Sequence, residues 1–194
     1  LLDNSYKVGI HCHLYNVDLS QEIISYLKGF PQTFDLYLTI CDESKKQLLE
    51  SLFDKKIVQN LNKLTIIVTP NRGRDVAPWL VEMKKVQDEY DLFCHIHSKK
   101  SPYYGWGNSW RKYLYNNLID GNAFINVCNI FYANPKLGIL YPRVFPQLKE
   151  ICENYNIKQI GEFNEERTIN SLCRKMNIPN YSRANMLFSE GTMF

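Results

Sequence analysis

The first half of the sequence alternates between strand-like and helix-like segments, and this alternation limits the chain to few folds. Four segments rich in apolar, β-branched and aromatic residues are predicted strands: 7–14, 34–41, 64–68 and 92–97. Three segments between them have apolar residues at helical spacing: 19–27, 44–53 and 76–90. Repeated strand–helix alternation favours a parallel sheet covered by helices on both faces. The sequence therefore predicts an α/β fold with a mainly parallel central sheet flanked by helices.

The second half is less regular but continues the same mixture of elements. The segments with helical character are 110–119, 123–132, 146–155 and 165–176. The segments with strand character are 137–141 and 186–194. A chain of 194 residues is long enough for one sizeable core, so we expect a single domain over 1–194. Its abrupt apolar end leads us to expect a fragment of a longer protein.

Composition argues against several classes of protein. The net charge is +3, and the basic residues form no contiguous stripe of the kind that binds nucleic acid. No apolar run approaches the roughly 20 residues that span a bilayer, and the start shows no signal-peptide pattern. The six cysteines include no Cys-x-x-Cys pair, which favours reduced thiols in the cytoplasm. The absence of glycine-rich nucleotide motifs disfavours dinucleotide dehydrogenases and P-loop enzymes.

The most polar turn of the chain is Arg72-Gly73-Arg74-Asp75, directly before a predicted helix. As a purely structural element, Gly73 would supply an unusual backbone angle and Asp75 would cap the helix. A helix N-terminus beside two arginines is also a suitable phosphate site. Because the turn itself needs neither Arg72 nor Arg74, we expect a binding role for at least one of them.

A second polar cluster ends the strand over 92–97. Alternation places His95 and His97 on the same strand face, where they could bind a divalent metal with Asp75 as a third ligand. Lys99 and Lys100 follow, and they offer fixed positive charge for a leaving diphosphate as an alternative to the metal. The remaining interpretation is that the two histidines are structural. Together with the arginine turn, the cluster indicates an anionic ligand, most simply a diphosphate.

Further polar residues occupy other strand ends. His13 and Tyr15 follow the first strand and could contact a nucleoside, although a buried structural histidine is an equal alternative. Asp42 follows the second strand, where it could accept a hydrogen bond from a base or ribose, or cap the next helix. Glu190 lies inside an apolar segment, so its carboxylate is expected to be paired or poised for catalysis.

The sequence resembles the rhamnan synthesis protein F family of glycosyltransferase-like domains, and it is similar to a chlorella-virus capsid glycosyltransferase. The most specific motifs span residues 70–78, which include Arg72-Gly73-Arg74-Asp75, and residues 95–101, which include His95-Ile96-His97. The weaker ones are 11–15, 90–91, 110–111, 134–138 and 191–194. The resemblance implies a single GT-A-like nucleotide-sugar transferase domain, in a bacterium or a virus-infected cell. GT-A enzymes normally carry Asp-x-Asp at the fourth strand end, so His95 and His97 depart from the family pattern.

These observations favour a glycosyltransferase that moves a hexose or deoxyhexose from a nucleoside-diphosphate sugar to a glycan or glycoprotein. The expected donor-binding residues are His13, Tyr15, Asp42, Arg72, Arg74, Lys99 and Lys100. Asp75 and Glu190 are the expected catalytic carboxylates, and His95 and His97 the expected ligands of a divalent ion, Mn²⁺ in preference to Mg²⁺. Tyr104, Trp106 and Trp110 could stack on acceptor sugar, with a core position as the alternative for Trp110. The other hypothesis is a GT-A-like module that binds glycan or nucleotide without turnover.

Overall fold

The computed structural model describes residues 6–154, 171, 173–177 and 190–194. The chain divides into two compact units, which are 1–142 with 191–194, and 143–190. The first unit contains the sheet and five helices. The second contains the helix α6 (Pro146–Asn154). The expectation of one domain over 1–194 stays a prediction.

The first unit is built on a four-stranded sheet with all strands parallel. The strands are β1 (Val8–His13), β2 (Phe34–Ile40), β3 (Leu61–Val68) and β4 (Leu92–His97). They lie in the order β3-β2-β1-β4. All six residues of the central strand β1 are buried, as expected for a strand covered on both faces. The α/β class and the parallel sheet are therefore confirmed, and the arrangement is consistent with a GT-A-like domain.

Five helices of the first unit connect or follow the strands: α1 (Ser20–Lys28), α2 (Lys46–Leu52), α3 (Val76–Glu82), α4 (Gly107–Leu118) and α5 (Gly121–Ala133). Helix α1 shows how the sequence directs the packing. Its buried residues Ile23, Ile24 and Leu27 recur at helical spacing and face the core. No described helix is long and apolar enough to cross a membrane.

Two predicted elements differ from the structure. The helix predicted over 76–90 ends at Glu82 and continues as two 3₁₀ turns, Met83–Lys85 and Gln87–Glu89. Val86 separates these turns, because its φ of −133° and ψ of −18° lie outside the helical range. The strand predicted over 137–141 is wrong, since this segment is irregular. Pro135 and Pro142 flank it, and proline cannot donate a ladder hydrogen bond.

The described end of the chain joins the sheet from the opposite direction. The backbone N–H of His95 donates to the carbonyl of Phe194 at 2.6 Å, and the N–H of Phe194 donates back to the carbonyl of His95 at 3.1 Å. This exchange is the pattern of an antiparallel residue pair. It brings 191–194 to the free edge of β4. Residues 186–189 of the strand predicted over 186–194 lie outside the described residues, and Glu190–Thr192 form a 3₁₀ turn, so the prediction is wrong for that part.

Candidate functional site

The candidate site lies where the two central strands end. His13 closes β1, His97 closes β4, and the two residues are register partners. The chain runs from β1 to β2 on one side and reaches β4 on the other, so the strand order reverses here. In open parallel sheets, ligands bind in the crevice outside the carboxyl ends of the strands at such a reversal. The strand-end histidines therefore occupy the position at which this class of fold binds ligands.

All four histidines of the chain lie on these two strands, and three of them share a hydrogen-bonded network. Nδ1 of His11 lies 2.8 Å from Nδ1 of His95, and the rings stack. The hydroxyl of Thr39 on β2 lies 2.9 Å from both Nε2 of His11 and Nδ1 of His13. The three rings and Thr39 are buried. The indole of Trp79 packs against His11 and His95 and helps to close the network.

Asp75 stands at the start of α3, but its side chain does not cap the helix as the sequence suggested. Its Oδ2 atom instead lies 3.7 Å from Nε2 of His95 and 3.9 Å from Nε2 of His97. It also accepts a short hydrogen bond from the hydroxyl of Thr192. The structure thus brings together Asp75, His95 and His97, which the sequence grouped, and adds Thr192.

The carboxyl group of Asp75 remains ionised. Burial alone would raise its pKa, but the contacts with His95, His97 and Thr192 outweigh this effect and hold the pKa well below its ordinary value. A carboxylate that gives up its proton so readily is a weak proton acceptor. This favours an orienting role for Asp75 over the general-base role expected from the sequence.

The histidines, in contrast, are neutral near pH 7. Burial is the largest cause and lowers the pKa of His11 well below 6.5, and it also lowers the pKa of His13 and His95. The pKa of His97 falls to about 4, because burial outweighs the attraction of Asp75. The site therefore combines four neutral imidazoles with one partly buried anion.

Nε2 of His97 lies 2.6 Å from the carbonyl of Gly191. A carbonyl oxygen only accepts, so this nitrogen carries a proton and has no lone pair for a metal. In the part of the chain that the structure describes, no group of three or more His, Cys, Asp or Glu side chains could hold a metal ion. The donor set does not fit a metal as arranged here, and we derive no step through one. The manganese site at His95 and His97 stays a prediction.

The arginine turn adopts the unusual backbone that the sequence suggested. Gly73 has φ +77° and Arg74 has φ +54°, which is uncommon for a residue with a side chain. A Cβ on Gly73 would lie 2.3 Å from the Cβ of Ala77, so only glycine fits. Both Arg72 and Arg74 are exposed to solvent. Because α3 has seven residues, positive charge here comes from the side chains more than from a helix dipole.

The side chains of Lys99 and Lys100 make different contacts. The half-buried Lys99 has its ammonium 3.9 Å from the centre of the Trp110 ring. Burial lowers the pKa of Lys99, Asp75 raises it and Arg74 lowers it, so all three charges lie within electrostatic reach. Lys100 instead pairs with Asp18 at 2.7 Å. Lys99 and Arg74 are thus two cations within electrostatic reach of Asp75.

The other predicted binding residues lie on the rim or are used locally. Tyr15 is 58% exposed just beyond β1. Asp42 follows β2, but its carboxylate accepts from the backbone N–H and the hydroxyl of Ser44, which is the capping role. The side chain of Glu190 lies outside the described residues. Its predicted catalytic role stays a prediction.

The three aromatic residues that were expected to stack on acceptor sugar occupy two different environments. The rings of Tyr104 and Trp106 stack with centroids 4.4 Å apart, and Tyr104 is 44% exposed. Trp110 is buried, in agreement with the alternative that it belongs to the core. Tyr104 and Trp106 therefore remain the candidates for stacking on a sugar.

Sequence reasoning missed Thr39, Thr192 and Arg111. Arg111 is buried on α4, pairs with Glu22 of α1 at 2.7 Å, and donates to the carbonyl of Lys99 at 2.9 Å. It fixes the backbone of the basic segment after β4. The sequence signal for Arg111 was its position on the apolar face of the predicted helix, next to Trp110. No local signal marked Thr39 or Thr192.

Comparison with known proteins gives one family and two distant relatives. The family described as Rhamnan synthesis protein F matches residues 2–194. Two proteins named Uncharacterized protein WxcX, from two strains of Xanthomonas campestris pv. campestris, are each 33% identical over 73 residues. The match covers 37% of this chain and 10% of each relative. No solved structure matches significantly. Because the family match covers nearly the whole sequence, the chain belongs to the rhamnan synthesis protein F family.

Proposed function

We propose that this chain is a hexosyltransferase domain that moves a hexose or deoxyhexose from a nucleoside-diphosphate sugar to a glycan or glycoprotein acceptor. Family membership supports a role in polysaccharide synthesis with a glycosyltransferase-type function. The observation that carries the finer proposal is the placement of Lys99 just after β4 and of Arg74 just before α3, both within electrostatic reach of Asp75 at the carboxyl ends of the strands. Two cations in the ligand crevice of a parallel sheet suit an anionic ligand.

The two cations have a direct use in glycosyl transfer. When the bond between the sugar and the diphosphate breaks, negative charge accumulates on the leaving diphosphate. Fixed positive groups that meet this charge stabilise the transition state. Arg74 and Lys99 would supply that charge, and the exposed Arg72 would add to it. Lys100 contributes less in this scheme, because Asp18 already neutralises it.

The carboxylate of Asp75 does not oppose this use. Its Oδ2 atom is engaged by Thr192 and faces the two imidazoles of β4. The charge of Asp75 therefore orders the histidine side of the site, while Arg74 is exposed to solvent. His13 and Tyr15, at the end of β1, would contact the nucleoside or the sugar. Tyr104 and Trp106 would form a stacking surface for the acceptor.

The second candidate is a module that binds a nucleotide or glycan without turnover. It is favoured by one observation, the replacement of Asp-x-Asp by His95-Ile96-His97 at the end of β4. In this case the basic pair would hold a diphosphate, but no acceptor would be glycosylated. The two candidates predict the same binding and differ only in chemistry.

Release of nucleoside diphosphate from a panel of nucleoside-diphosphate hexoses and deoxyhexoses tests the proposal. We expect release with at least one donor, and faster release when a rhamnose-containing oligosaccharide acceptor is present. The Arg74→Ala, Lys99→Ala double variant should lose at least tenfold in rate, since each charge-assisted contact contributes about 1.5–3 kcal/mol. Lys63→Ala, which removes an exposed lysine near the start of β3, serves as the control. Donor binding without release in any combination would favour the binding module.

A further inference from the structure

A chain of polar side chains runs from Asp75 to His13 at the end of β1; its first link is an electrostatic contact and the others are hydrogen bonds. It runs from Asp75 to Nε2 of His95, from Nδ1 of His95 to Nδ1 of His11, and from Nε2 of His11 through Thr39 to Nδ1 of His13. The successive separations are 3.7, 2.8, 2.9 and 2.9 Å. Every member except Asp75 is buried. The chain crosses three adjacent strands and ends at the last residue of β1.

Such a chain has two proton arrangements. Each neutral imidazole carries one N–H, and the Thr39 hydroxyl donates to one neighbour and accepts from the other. A proton on Nδ1 of His11 therefore requires Thr39 to donate to His11 and His13 to donate to Thr39. A proton on Nδ1 of His95 reverses every bond. The first arrangement leaves Nε2 of His13 with a lone pair, and the second leaves it protonated.

Asp75 selects between the two arrangements. Nε2 of His95 is buried and has no hydrogen-bond partner among the described residues. It faces the Asp75 carboxylate at 3.7 Å. An N–H that faces an ionised carboxylate is attracted, whereas a lone pair in the same place is repelled. Nε2 of His95 therefore holds the proton, and the first arrangement follows. It leaves the lone pair of His13 on Nε2, for which no hydrogen-bond partner appears among the described residues.

We propose that His13 is the proton-accepting catalytic residue of this site, and that Asp75 holds it in the accepting tautomer through His95, His11 and Thr39. The catalytic role rests on the proposed transferase function, whereas the tautomer does not. In the reaction, the acceptor hydroxyl gives its proton to Nε2 of His13. Its oxygen bonds to the anomeric carbon, and the bond from that carbon to the diphosphate oxygen breaks. The diphosphate leaves with the electron pair.

The chain also accounts for the fate of the proton. Once Nε2 of His13 is protonated, its Nδ1 proton can pass to Thr39, and each later member can pass its own proton on toward Asp75. The positive charge then lies next to the partly buried carboxylate that stabilises it. Thr39, His11, His95 and Asp75 are positioning residues in this scheme, because they act on the acceptor only through His13.

Nitrogen NMR of the histidine side chains tests the tautomer directly, and four histidines in the chain make assignment by single substitution practical. We expect the Nδ1–H tautomer for His11 and His13, and the Nε2–H tautomer for His95. Free imidazole side chains favour Nε2–H, so the prediction for His13 is unusual. A neutral His13 with its proton on Nε2 would overturn the proposal.

Two matched variants test whether the chain acts through Thr39. Thr39→Val removes the hydroxyl at similar size, and Thr39→Ser keeps it. We expect Thr39→Val to return His13 to the Nε2–H tautomer and to slow transfer by about 10²-fold, the usual effect of general base catalysis, without weakening nucleoside-diphosphate binding. Thr39→Ser should restore both the tautomer and the rate. Equal transfer rates in the two variants would contradict a proton path through Thr39.

Asp75→Asn provides a second test if Thr39→Val fails to fold. It removes the anion at constant size, and we expect the His13 tautomer to shift. Failure of the two proposals is distinguishable. Predicted tautomers with no turnover of any donor would defeat the transferase function and, with it, the catalytic role of His13. Transfer at the wild-type rate in His13→Gln would defeat the role of His13 alone.

Discussion

The imidazole rings of His11 and His95 stack across neighbouring strands with their Nδ1 atoms 2.8 Å apart. A contact this short between two nitrogens needs one proton between them, so both Nδ1 atoms cannot be protonated and the two rings cannot be charged together. The pair thus places a neutral, acid-sensitive contact in the centre of the sheet. The same burial affects His13 and His97.

The protein should lose stability on mild acidification. The pKa of His97 is about 4 in the folded chain and about 6.5 in the unfolded one, so the unfolded chain binds more protons between these values. Stability is therefore retained above about pH 6.5 and falls as the pH drops toward 4. His97 alone should cost about 2 kcal/mol between pH 7 and pH 5. Urea unfolding at the two pH values measures this difference.

His11, His13 and His95 act in the same direction, because burial lowers each pKa. Asp75 does not contribute in this window, since its stabilisation is lost only near and below its ordinary unfolded pKa of about 3.9. His97→Gln should make the free energy of unfolding less dependent on pH. Equal stability of the wild-type protein at pH 5 and pH 7 would contradict the burial of neutral histidines.

Gly73→Ala should damage both the fold and the basic site. A side chain at φ +77° costs about 1–2 kcal/mol, and the added Cβ would collide with Ala77. The turn must move, and Arg72 and Arg74 move with it, so nucleoside-diphosphate affinity should also fall. Gly138→Ala is the control, because a Cβ there meets no atom within 4 Å. Unfolding and calorimetric measurements on both variants should separate them clearly.

Arg111→Met should destabilise the protein by about 3 kcal/mol, because it leaves Glu22 partly buried without its partner. The pair of Lys85 and Glu82 provides a matched control at a similar distance, 2.6 Å against 2.7 Å; its carboxylate is as exposed as that of Glu22, but its cation is exposed whereas Arg111 is buried. Lys85→Met should cost less than about 1 kcal/mol. If urea unfolding gave equal losses for both variants, the buried pair would have no special role.

Chelation tests the manganese prediction. Nε2 of His97 is committed to the carbonyl of Gly191, and Nδ1 of His95 to His11. We therefore expect donor turnover to continue in excess EDTA. Loss of turnover in EDTA, restored by Mn²⁺, would show that the histidines rearrange to bind a metal, as their placement on one face of β4 suggested.

The sequence was sufficient for the sheet because strand patterns are local. A strand such as β4 is marked by its own residues, and alternation alone puts His95 and His97 on one face. The arginine turn was also readable, since Gly73 signals an unusual backbone angle. The direction of the Asp75 side chain could not be predicted, because an aspartate that caps a helix and one that faces a binding site occupy the same position in the sequence.

Residues that join the site only through tertiary contacts could not be predicted from the sequence. Thr39 is an ordinary strand threonine until the register of β1 and β2 places it between two histidines. Thr192 and Gly191 reach His97 from more than ninety positions away in the chain. The segment 137–141 shows the opposite error. Its local apolar pattern predicted a strand, but the described structure gives it no strand partner.

Calorimetric titration with nucleoside diphosphates tests the central claim most directly. The account predicts that at least one of them binds, and that Arg74→Ala and Lys99→Ala each weaken binding about tenfold or more. Lys63→Ala should bind as the wild-type protein does. The account would be contradicted if the Arg74→Ala, Lys99→Ala double variant bound with unchanged affinity, or if no nucleoside diphosphate bound to the wild-type protein.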